Sequence, residues 1–551
     1  MATTTDNGGK PEGTVDSENN STENVTQAAA RGTLSTLVLR LISFVCTQLT
    51  IRALDPSALG TNIQLELLLT TILFISREGF RLALTQNVVP ETWTVAWLTI
   101  PVVTLFSGST LLLHLLFSAT NDVDYKVAGI LYCLASWIEG CGEPAVLFFL
   151  RKLEVPPRVE AEGIASVVKT VATAVGVQVL PSSWSVTVFG LAQLIYAITY
   201  TSYLYIRAWV RPRPDWREKS LPPSSLSVFW SGLDKGACYT TVVYTVQGVF
   251  KHFLTEADKI ILTAMADSYD KGVYAMGASY GGMAARILLQ PLEENARLLW
   301  SRQAGKSDDN GGELLKSYTT LVKFVLYIGL VFCCVAAHYT NLLLNILAGR
   351  TWGSNVEASN VLAAFCVYTA FLALNGMTEA FVYAVGSGDT AASEMTKLGL
   401  IHTLTGLAFA VAASVLVTRH GTIGLVAANC VAMLIRSLYS LHVASRYFSA
   451  KVVGQKRPEI ISQIFPHPLV LAGFAFAWLA TRSSLSSIVL QGFHLQLNLR
   501  NTDWLIQTGE HIAIGVVSVL GIVLLAVFFD RAFIQSLGDM VRHRKARIKE
   551  D

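Results

Sequence analysis

Two arginines and a glutamate follow one of the most apolar stretches of this sequence. Aliphatic residues dominate from Ile63 to Ile75, and Arg77, Glu78 and Arg81 come next, before the apolar pattern resumes. On a helix, Arg77 and Arg81 lie one turn apart on the same face. Two guanidinium groups presented together suit a phosphate group, because each is planar and permanently charged.

Two interpretations of these charges are open. In the first, the arginines anchor the end of a membrane span, and their long side chains reach toward the water of the cytosol. In the second, they face a helix bundle interior or a water-filled cavity, as charged groups at membrane depth commonly do. An anchor has no need of Glu78, and apolar residues continue beyond it at Phe80, Leu82 and Leu84. Both features favour the second interpretation.

The composition of the whole chain is that of an integral membrane protein. Of its 551 residues, 52% are hydrophobic and only 15% are charged, against about 25% charged in a soluble domain. The net charge of +3 is too small to indicate a nucleic-acid partner. Residues 1–30 are polar and lack the apolar core of a secretory signal. We expect them to form a disordered tail.

Stretches of about 20 mostly apolar residues, long enough to cross a bilayer as a helix, recur along the chain. The sequence therefore predicts an all-α polytopic membrane protein with about fourteen transmembrane helices. We expect these helices at 33–54, 62–85, 93–117, 127–150, 160–180, 186–209, 236–265, 271–298, 314–338, 355–385, 393–418, 421–445, 466–489 and 509–529. Pro101, Pro144 and Pro291 lie inside spans and predict kinks there.

Lysine and arginine concentrate in alternate loops. The loops after the fourth, sixth, eighth and twelfth spans are basic, as is the C-terminal sequence VRHRKARIKED. The opposite loops, such as NDVDYK at 121–126, carry few positive charges. Cytosolic loops carry the excess of positive charge in membrane proteins. We therefore expect both termini in the cytosol and the 120–126 loop in the lumen.

The chain also looks internally duplicated. DPSALGTN from Asp55 resembles DSYDKGVY from Asp267, WIEGCGEPAVLFF from Trp137 resembles ALNGMTEAFVYA from Ala373, and FGLAQ at Phe189 resembles IGLVAAN at Ile423. The matches occur in the same order in equivalent spans, which favours two six-helix halves around a central cavity. We expect a cytosolic tail at 1–32, a first half at 33–210, a cytosolic linker at 211–235, a second half at 236–450, and two additional helices with a basic tail at 451–551.

Charged and polar residues recur inside the other predicted spans. A charge that faces lipid near the bilayer centre costs about 2.5–3.5 kcal/mol, so a set of this size must face inward and largely pair. The two signs together predict a polar cavity with ion-paired walls, although a helix-to-helix pair is the alternative for any single residue. The set includes Arg40, Glu139, Glu143, Lys251, Glu256, Arg286, Gln290, Glu294, Glu379 and Arg436.

Two short matches to enzyme motifs lack the structure that those motifs require. Gly277–Gly281 reads GASYG, but a serine-hydrolase elbow needs a strand, a turn and a helix, and this segment lies within a predicted span. Gly305-Lys306-Ser307 resembles the end of a phosphate-binding loop, but the required first glycine is replaced by Trp300. No zinc-ligand spacing occurs in the sequence. We expect no enzyme activity, no cofactor and no metal site.

Several segments together resemble the eukaryotic Rft proteins of the endoplasmic reticulum. These proteins belong to the multidrug, oligosaccharidyl-lipid and polysaccharide exporter superfamily, which also includes the bacterial lipid II flippase. The resemblance covers roughly residues 33–450. It depends on SREGFR (76–81), GEP (142–144), LTEADK (254–259), GVYAMGASYGGMAARILLQPLEEN (272–295), NGMTEAF (375–381) and IGLVAANC (423–430), followed by Arg436. Gly79 departs from the pattern, where alanine is expected, and we expect this departure to matter little.

The resemblance implies a role in protein N-glycosylation. It implies a flippase or scramblase that moves the dolichol-diphosphate-linked heptasaccharide from the cytosolic to the lumenal leaflet. Two alternatives are an accessory protein or chaperone for this glycolipid and an ion-coupled small-molecule exporter of the same superfamily. On the first view the substrate-binding residues are Arg40, Arg77, Arg81, Lys251, Arg286 and Gln290, and the cavity carboxylates and ion-pair partners are Glu78, Glu139, Glu143, Glu256, Glu294 and Glu379.

In this interpretation Arg77 and Arg81 meet the diphosphate near the cytosolic mouth of the cavity, and Glu78 holds one of them, or a neighbouring helix, in place. The resemblance also implies residence in the endoplasmic reticulum membrane. The C-terminal RIKED is a near match to a dibasic retrieval signal, although a plain positive tail explains it equally well. The expected partners are the glycolipid, bilayer lipids and other proteins of the N-glycosylation pathway.

Overall fold

The computed structural model describes residues 45–86, 93–117, 122–151, 156–210, 229–230, 232–305, 311–386, 391–451, 462–490 and 502–550. Most residues in these ranges are helical, and no strand occurs in them. The all-α prediction is confirmed. The predicted tail at 1–32 and nearly all of the linker at 211–235 lie outside the described residues.

The helices follow the predicted spans closely. They are α1 (described over 45–53), α2 (Pro56–Gln86), α3 (Trp93–Ala96), α4 (Thr99–Phe117), α5 (Val123–Cys141), α6 (Glu143–Arg151), α7 (Pro156–Val179), α8 (Ser185–Val210), α9 (Lys235–Thr255), α10 (Ala257–Met265), α11 (Ser268–Ala284), α12 (Gln290–Ala304), α13 (Gly312–Cys334), α14 (Thr340–Leu347), α15 (Arg350–Gly353), α16 (Val356–Val385), α17 (Ala391–Lys451), α18 (Pro468–Leu490), α19 (Thr502–Phe529) and α20 (Arg531–Glu550). Within the described ranges, eight helical segments are long and apolar enough to cross a membrane. The count of fourteen stays a prediction.

Proline and charge interrupt several predicted spans. The fourth span divides at Gly142, just before Pro144, into α5 and α6. The eighth divides into α11 and α12, joined by a π-helical segment at Ala285–Leu289 that ends just before Pro291. A proline has no N–H to continue the α-helical ladder, so the backbone departs from regular helix beside it.

The eleventh and twelfth spans form one hairpin within α17. His402 and Arg436 both bind the carboxylate of Glu379, although 34 residues of straight helix would separate them by about 50 Å. The helix therefore reverses between them. Gly421 lies at the turn with φ of 57°, in the left-handed region that glycine adopts without a steric penalty. The two arms of α17 are thus separate helices, which correspond to the eleventh and twelfth predicted spans.

Two glycines make a reciprocal close contact between α2 and α11. A Cβ on Gly60 would overlap backbone atoms of Ser268 and Gly272, and a Cβ on Gly272 would overlap the backbone of Pro56. These glycines occupy matching places in the two similar segments DPSALGTN and DSYDKGVY. Pro56 and Ser268 match in the same way. Each glycine therefore contacts the segment that contains the other one. Residues related by a twofold axis make contacts of this kind.

Gly60→Ala and Gly272→Ala are each expected to destabilise the protein by at least about 1–3 kcal/mol, the cost of overpacking. The obstructing atoms are backbone atoms, which cannot rotate away as side chains can. Thermal unfolding of the purified protein in detergent measures the loss. Gly163→Ala is the matched control, since its Cβ meets open space within a helix and alanine favours helix. Equal stability of all three variants would contradict this contact.

The C-terminal helices attach to α13 through a buried carboxylate. Asp530 accepts hydrogen bonds from Lys323 Nζ at 3.0 Å, Tyr327 Oη at 2.9 Å and the His467 amide at 3.1 Å. Burial by itself raises the pKa of the Asp530 carboxyl, but these three donors outweigh it, and the pKa lies below its ordinary value. This polar contact and an apolar core around Phe474 and Ile522 connect α18 and α19 to α13.

Candidate functional site

Two arginines of α2 pair with two glutamates of the fourth span. Arg77 and Arg81 are four residues apart, as are Glu139 and Glu143. Arg77 Nη1 donates to Glu139 Oε1 at 2.8 Å, while Arg81 binds both carboxylate oxygens of Glu143, at 2.5 and 2.8 Å. We call these four residues the Arg81 cluster. They form a ladder of two salt bridges between neighbouring helices.

The two salt bridges differ in their access to solvent. The side chains of Arg81 and Glu143 are 11% and 1% exposed, whereas Arg77 is 26% exposed and Glu139 is 6% exposed. Arg81 makes a bidentate salt bridge to one carboxylate, and a buried arginine needs a paired charge of this kind. Arg77 makes one hydrogen bond to Glu139 and is open enough to meet another anion. The two arginines are therefore not equivalent.

The break in the fourth span lies between the two glutamates. Glu139 is in the last turn of α5 and Glu143 begins α6, with Gly142 between the two helices. The Gly142 amide still donates to the carbonyls of Glu139 and Gly140. The two salt bridges thus attach both segments of the interrupted span to the continuous helix α2.

In the described contacts, Arg77 and Arg81 pair with Glu139 and Glu143. Glu78 makes no salt bridge to either arginine there. That Glu78 holds one of these arginines, or a neighbouring helix, in place stays a prediction. Glu78 faces the second predicted half, where its Cγ lies 3.7 Å from the place of a Cβ on Gly248 of α9. Its neighbour Gly79 also faces α9, and a Cβ there would come 2.7 Å from the Thr241 carbonyl. The expectation that glycine at this position matters little is therefore wrong.

A second ionic cluster surrounds Glu379 in α16. Arg436 donates to both of its carboxylate oxygens, at 2.9 and 3.0 Å, and His402 Nε2 lies 3.0 Å from one of them. On the other side, the Glu293 carboxylate lies against Gly376, one turn before Glu379, where it would obstruct a Cβ. We call Glu293, Glu379, His402 and Arg436 the Glu379 cluster.

The remaining predicted site residues do not join either cluster in the described contacts. Glu256 binds Lys259 of its own segment at 2.7 Å. Gln290 and Glu294 are exposed and form a long hydrogen bond to each other at 3.4 Å. Arg40 lies outside the described residues, and the side chains of Lys251 and Arg286 are not described.

His402 was missed in the sequence analysis. It is a lone histidine in an apolar stretch, and nothing in its local sequence connects it to a glutamate 23 residues away. The polarity of an intramembrane histidine was the available signal. His252 was also missed, and its Nε2 lies 2.9 Å from Thr71 Oγ1 across the α2–α9 contact.

A third group of contacts connects α1 to the loop before α16. Arg52 donates to the carbonyls of Ile346 and Leu347 at the end of α14, where a cation complements unpaired carbonyls and the helix dipole. Trp352 Nε1 donates to the Ile51 carbonyl at 2.9 Å. In the predicted topology these contacts lie at the lumenal side, opposite Arg77 and Arg81.

Comparison with known proteins identifies the family. The family model described as Rft protein matches residues 25–539. This chain belongs to the Rft family. It is 26% identical over 539 residues to the Man(5)GlcNAc(2)-PP-dolichol translocation protein RFT1 of Xenopus tropicalis, covering 92% of this chain and 95% of that protein. The Mus musculus protein of the same name is 26% identical over 447 residues, covering 76% of this chain and 82% of that protein.

Solved structures show the fold that this Rft family member adopts. The lipid II flippase MurJ in an inward closed conformation aligns with a TM-score of 0.56 and 12% identity, covering 91% of this chain and 98% of that one. A multidrug resistance MATE family transporter of the MOP superfamily, in an inward-facing conformation, aligns with a TM-score of 0.53 and 11% identity, covering 74% of this chain and 94% of that one. The predicted fold class, a polytopic helical membrane protein, is confirmed.

Proposed function

We propose that this Rft protein moves a dolichol-diphosphate-linked heptasaccharide from the cytosolic to the lumenal leaflet of the endoplasmic reticulum membrane for protein N-glycosylation. The observation that carries the proposal is its match, over nearly its whole length, to proteins named for translocation of Man(5)GlcNAc(2)-PP-dolichol. The fold shared with a lipid flippase supports it. In this proposal the protein is a transporter without catalytic activity or cofactor.

Arg77 is the proposed first contact for the diphosphate. Its guanidinium is partly exposed and makes one hydrogen bond to a carboxylate, so a more highly charged anion can compete for it. Arg81 stays on Glu143 and keeps α2 aligned with the fourth span. In this proposal Arg81 positions Arg77 and the helix interface, and it does not bind the ligand itself.

We propose that residues 33–210 and 236–450 are two halves that enclose the glycan, with 451–551 as an accessory pair of helices and a tail. The reciprocal contact of Gly60 and Gly272 supports this division. The contacts of Arg52 and Trp352 connect α1 to the second half. These contacts support a state that is closed toward the lumen and ready to receive a ligand from the cytosolic leaflet.

The proposed function is tested by reconstitution. Purified protein is placed in vesicles with the authentic labelled glycolipid, and a glycan-modifying reagent outside the vesicles reports the fraction that reaches the outer leaflet. We expect accessibility to rise well above that of protein-free vesicles. Binding of the glycolipid without any faster transfer would overturn direct movement and support an accessory protein. Transfer of unrelated cationic solutes but not of glycolipid would support an exporter.

The proposed orientation places both termini in the cytosol and the protein in the endoplasmic reticulum. The alternation of basic loops supports the orientation, and contacts with other proteins of the pathway are part of the same proposal. We expect cysteines introduced near either terminus to react with a membrane-impermeant thiol reagent from the cytosolic side. Those introduced at 120–126 should react only from the lumen. Termini labelled from the lumen, or residence at the plasma membrane, would contradict the proposal.

A further inference from the structure

The two ionic clusters differ in the sign of the charge that the neighbouring helix contributes. In the Arg81 cluster, α2 supplies arginines to the glutamates of the fourth span. In the second predicted half the corresponding helix, α12, instead supplies Glu293. The Glu293 carboxylate lies against Gly376, one turn before Glu379 on α16, so the two negative charges repel each other. An ionised carboxylate beside another one inside a bundle is costly unless it is neutralised.

The positively charged side chains near Glu379 already pair with its carboxylate. Arg436 makes a bidentate pair with Glu379, and His402 binds one of the same oxygens. The Glu379 side chain is 10% exposed, so this pairing is largely shielded from water. Glu379 is therefore the carboxylate that stays ionised, and Glu293 is the one that requires neutralisation.

The groups that surround Glu293 can be named helix by helix. Its own helix contributes Glu294, which repels it, and Gln290, which hydrogen-bonds to Glu294. On α16 are the carboxylate of Glu379 and the phenol of Tyr383. The two arms of α17 contribute His402 and Arg436. By sequence, Arg286 lies two turns before Glu293. Among the side chains that the structure describes here, three glutamates are accompanied by one arginine and one histidine.

A buried acceptor beside the cluster requires a hydrogen-bond donor. Asn375 is 4% exposed, and its Oδ1 is buried with no partner among the described residues. It lies four residues before Glu379, on the same face of α16. An unsatisfied buried acceptor costs about 1–3 kcal/mol. A carboxyl O–H nearby would supply the missing donor, whereas an ionised carboxylate could not.

We propose that Glu293, which lies against Gly376 one turn before Glu379, forms a proton-binding site in the second half of the molecule. The proton comes from water and forms an O–H bond on the Glu293 carboxylate, which becomes neutral and able to donate. A metal cation is a poorer occupant, because Arg436 and His402 already bind the carboxylate of the neighbouring Glu379. The site is occupied at lower pH and loses its proton as the pH rises.

The backbone beside Glu293 offers a way to transmit this change. The π-helical segment Ala285–Leu289 ends immediately before α12. A π-helical turn contains one extra residue, and such turns recur at functional sites. Its conversion to α-helix would rotate α12 by about 100°, and Glu293 would leave Gly376. Proton binding would thereby favour one arrangement of α12. The link to glycolipid movement rests on the proposed function, but proton binding does not.

The test is infrared spectroscopy of the purified protein across a pH series, which detects the carbonyl stretch of a protonated carboxyl group. We expect such a band near neutral pH, lost as the pH rises. Glu293→Gln, which preserves shape, should abolish it. Glu294→Gln, at the neighbouring exposed position, should keep the band and move its loss to lower pH by less than Glu379→Gln does. Glu379→Gln should move its loss to lower pH by about one unit, since the repelling charge is gone.

Folding of each variant is checked by gel filtration and thermal unfolding. A band that persists in Glu293→Gln, or native protein without such a band at any pH near neutrality, would overturn the proton site. Reconstituted vesicles with and without a pH gradient then test coupling. Glycolipid transfer without the infrared band would overturn the proton site and leave the proposed function standing. An infrared band in a protein that does not transfer glycolipid would leave the proton site standing and overturn the proposed function.

Discussion

Arg81→Gln is expected to remove most of the folded protein from the membrane. The substitution leaves Glu143, whose side chain is 1% exposed, as a buried negative charge without its partner. Removing one member of a buried ion pair costs about 3–5 kcal/mol, a large part of the roughly 5–15 kcal/mol that stabilises a typical folded domain. Protein abundance in membranes and thermal unfolding in detergent measure the effect. Arg81→Glu should be worse, because it places two carboxylates together.

Three control variants separate the ion pair from other effects. The double variant Arg81→Gln with Glu143→Gln has no buried unpaired charge and should recover much of the lost stability. Arg81→Lys keeps the charge but loses the bidentate fork, and should be intermediate. Arg158→Gln breaks an exposed pair with Glu162 and should cost about 1 kcal/mol or less. An abundant, stable Arg81→Gln protein would contradict the structural role of this pair.

The sequence could predict the charges but not their partners. Arginines at 77 and 81 and glutamates at 139 and 143 share the same four-residue spacing, which is enough to expect matching faces. Which helix lies opposite is a tertiary fact, and the nearer Glu78 was the obvious local candidate. The structure also changes the meaning of Arg81. A loss of activity in Arg81→Glu cannot by itself indicate ligand binding, because the fold depends on this residue.

The helices themselves were predictable because their signals are local. An apolar stretch long enough to cross a bilayer marks a span, and proline marks where a helix is interrupted, as at Pro144 and Pro291. The matched glycines of the duplicated segments, Gly60 and Gly272, were visible as a pattern, but not as a contact. The Glu379 cluster joins residues from three elements, from Glu293 to Arg436, and no local pattern identifies its members.

Arg77→Gln is expected to lower glycolipid binding by about 10- to 100-fold while leaving most of the protein folded. A hydrogen bond to a charged group contributes about 1.5–3 kcal/mol, and tenfold in affinity corresponds to about 1.4 kcal/mol. The cost to folding should be smaller than for Arg81, because Arg77 makes one hydrogen bond and is 26% exposed. Binding of labelled glycolipid to purified protein is the measurement. Glycosylation of secreted proteins, in cells that depend on the variant, provides the cellular readout.

Glu139→Gln is the matched control, because it breaks the same salt bridge from the other side. Both substitutions remove the bond between Arg77 Nη1 and Glu139 Oε1, but Arg77→Gln leaves the more buried charge, Glu139, unpaired and should cost somewhat more stability. Their effects on an anionic ligand should be opposite. Glu139→Gln releases Arg77 from its competitor and should preserve or strengthen binding, whereas Arg77→Gln removes the cation itself. Arg77→Lys keeps the charge without the fork and should fall between them. Equal loss of binding in Arg77→Gln and Glu139→Gln would mean that only the salt bridge matters, and that the diphosphate is recognised elsewhere.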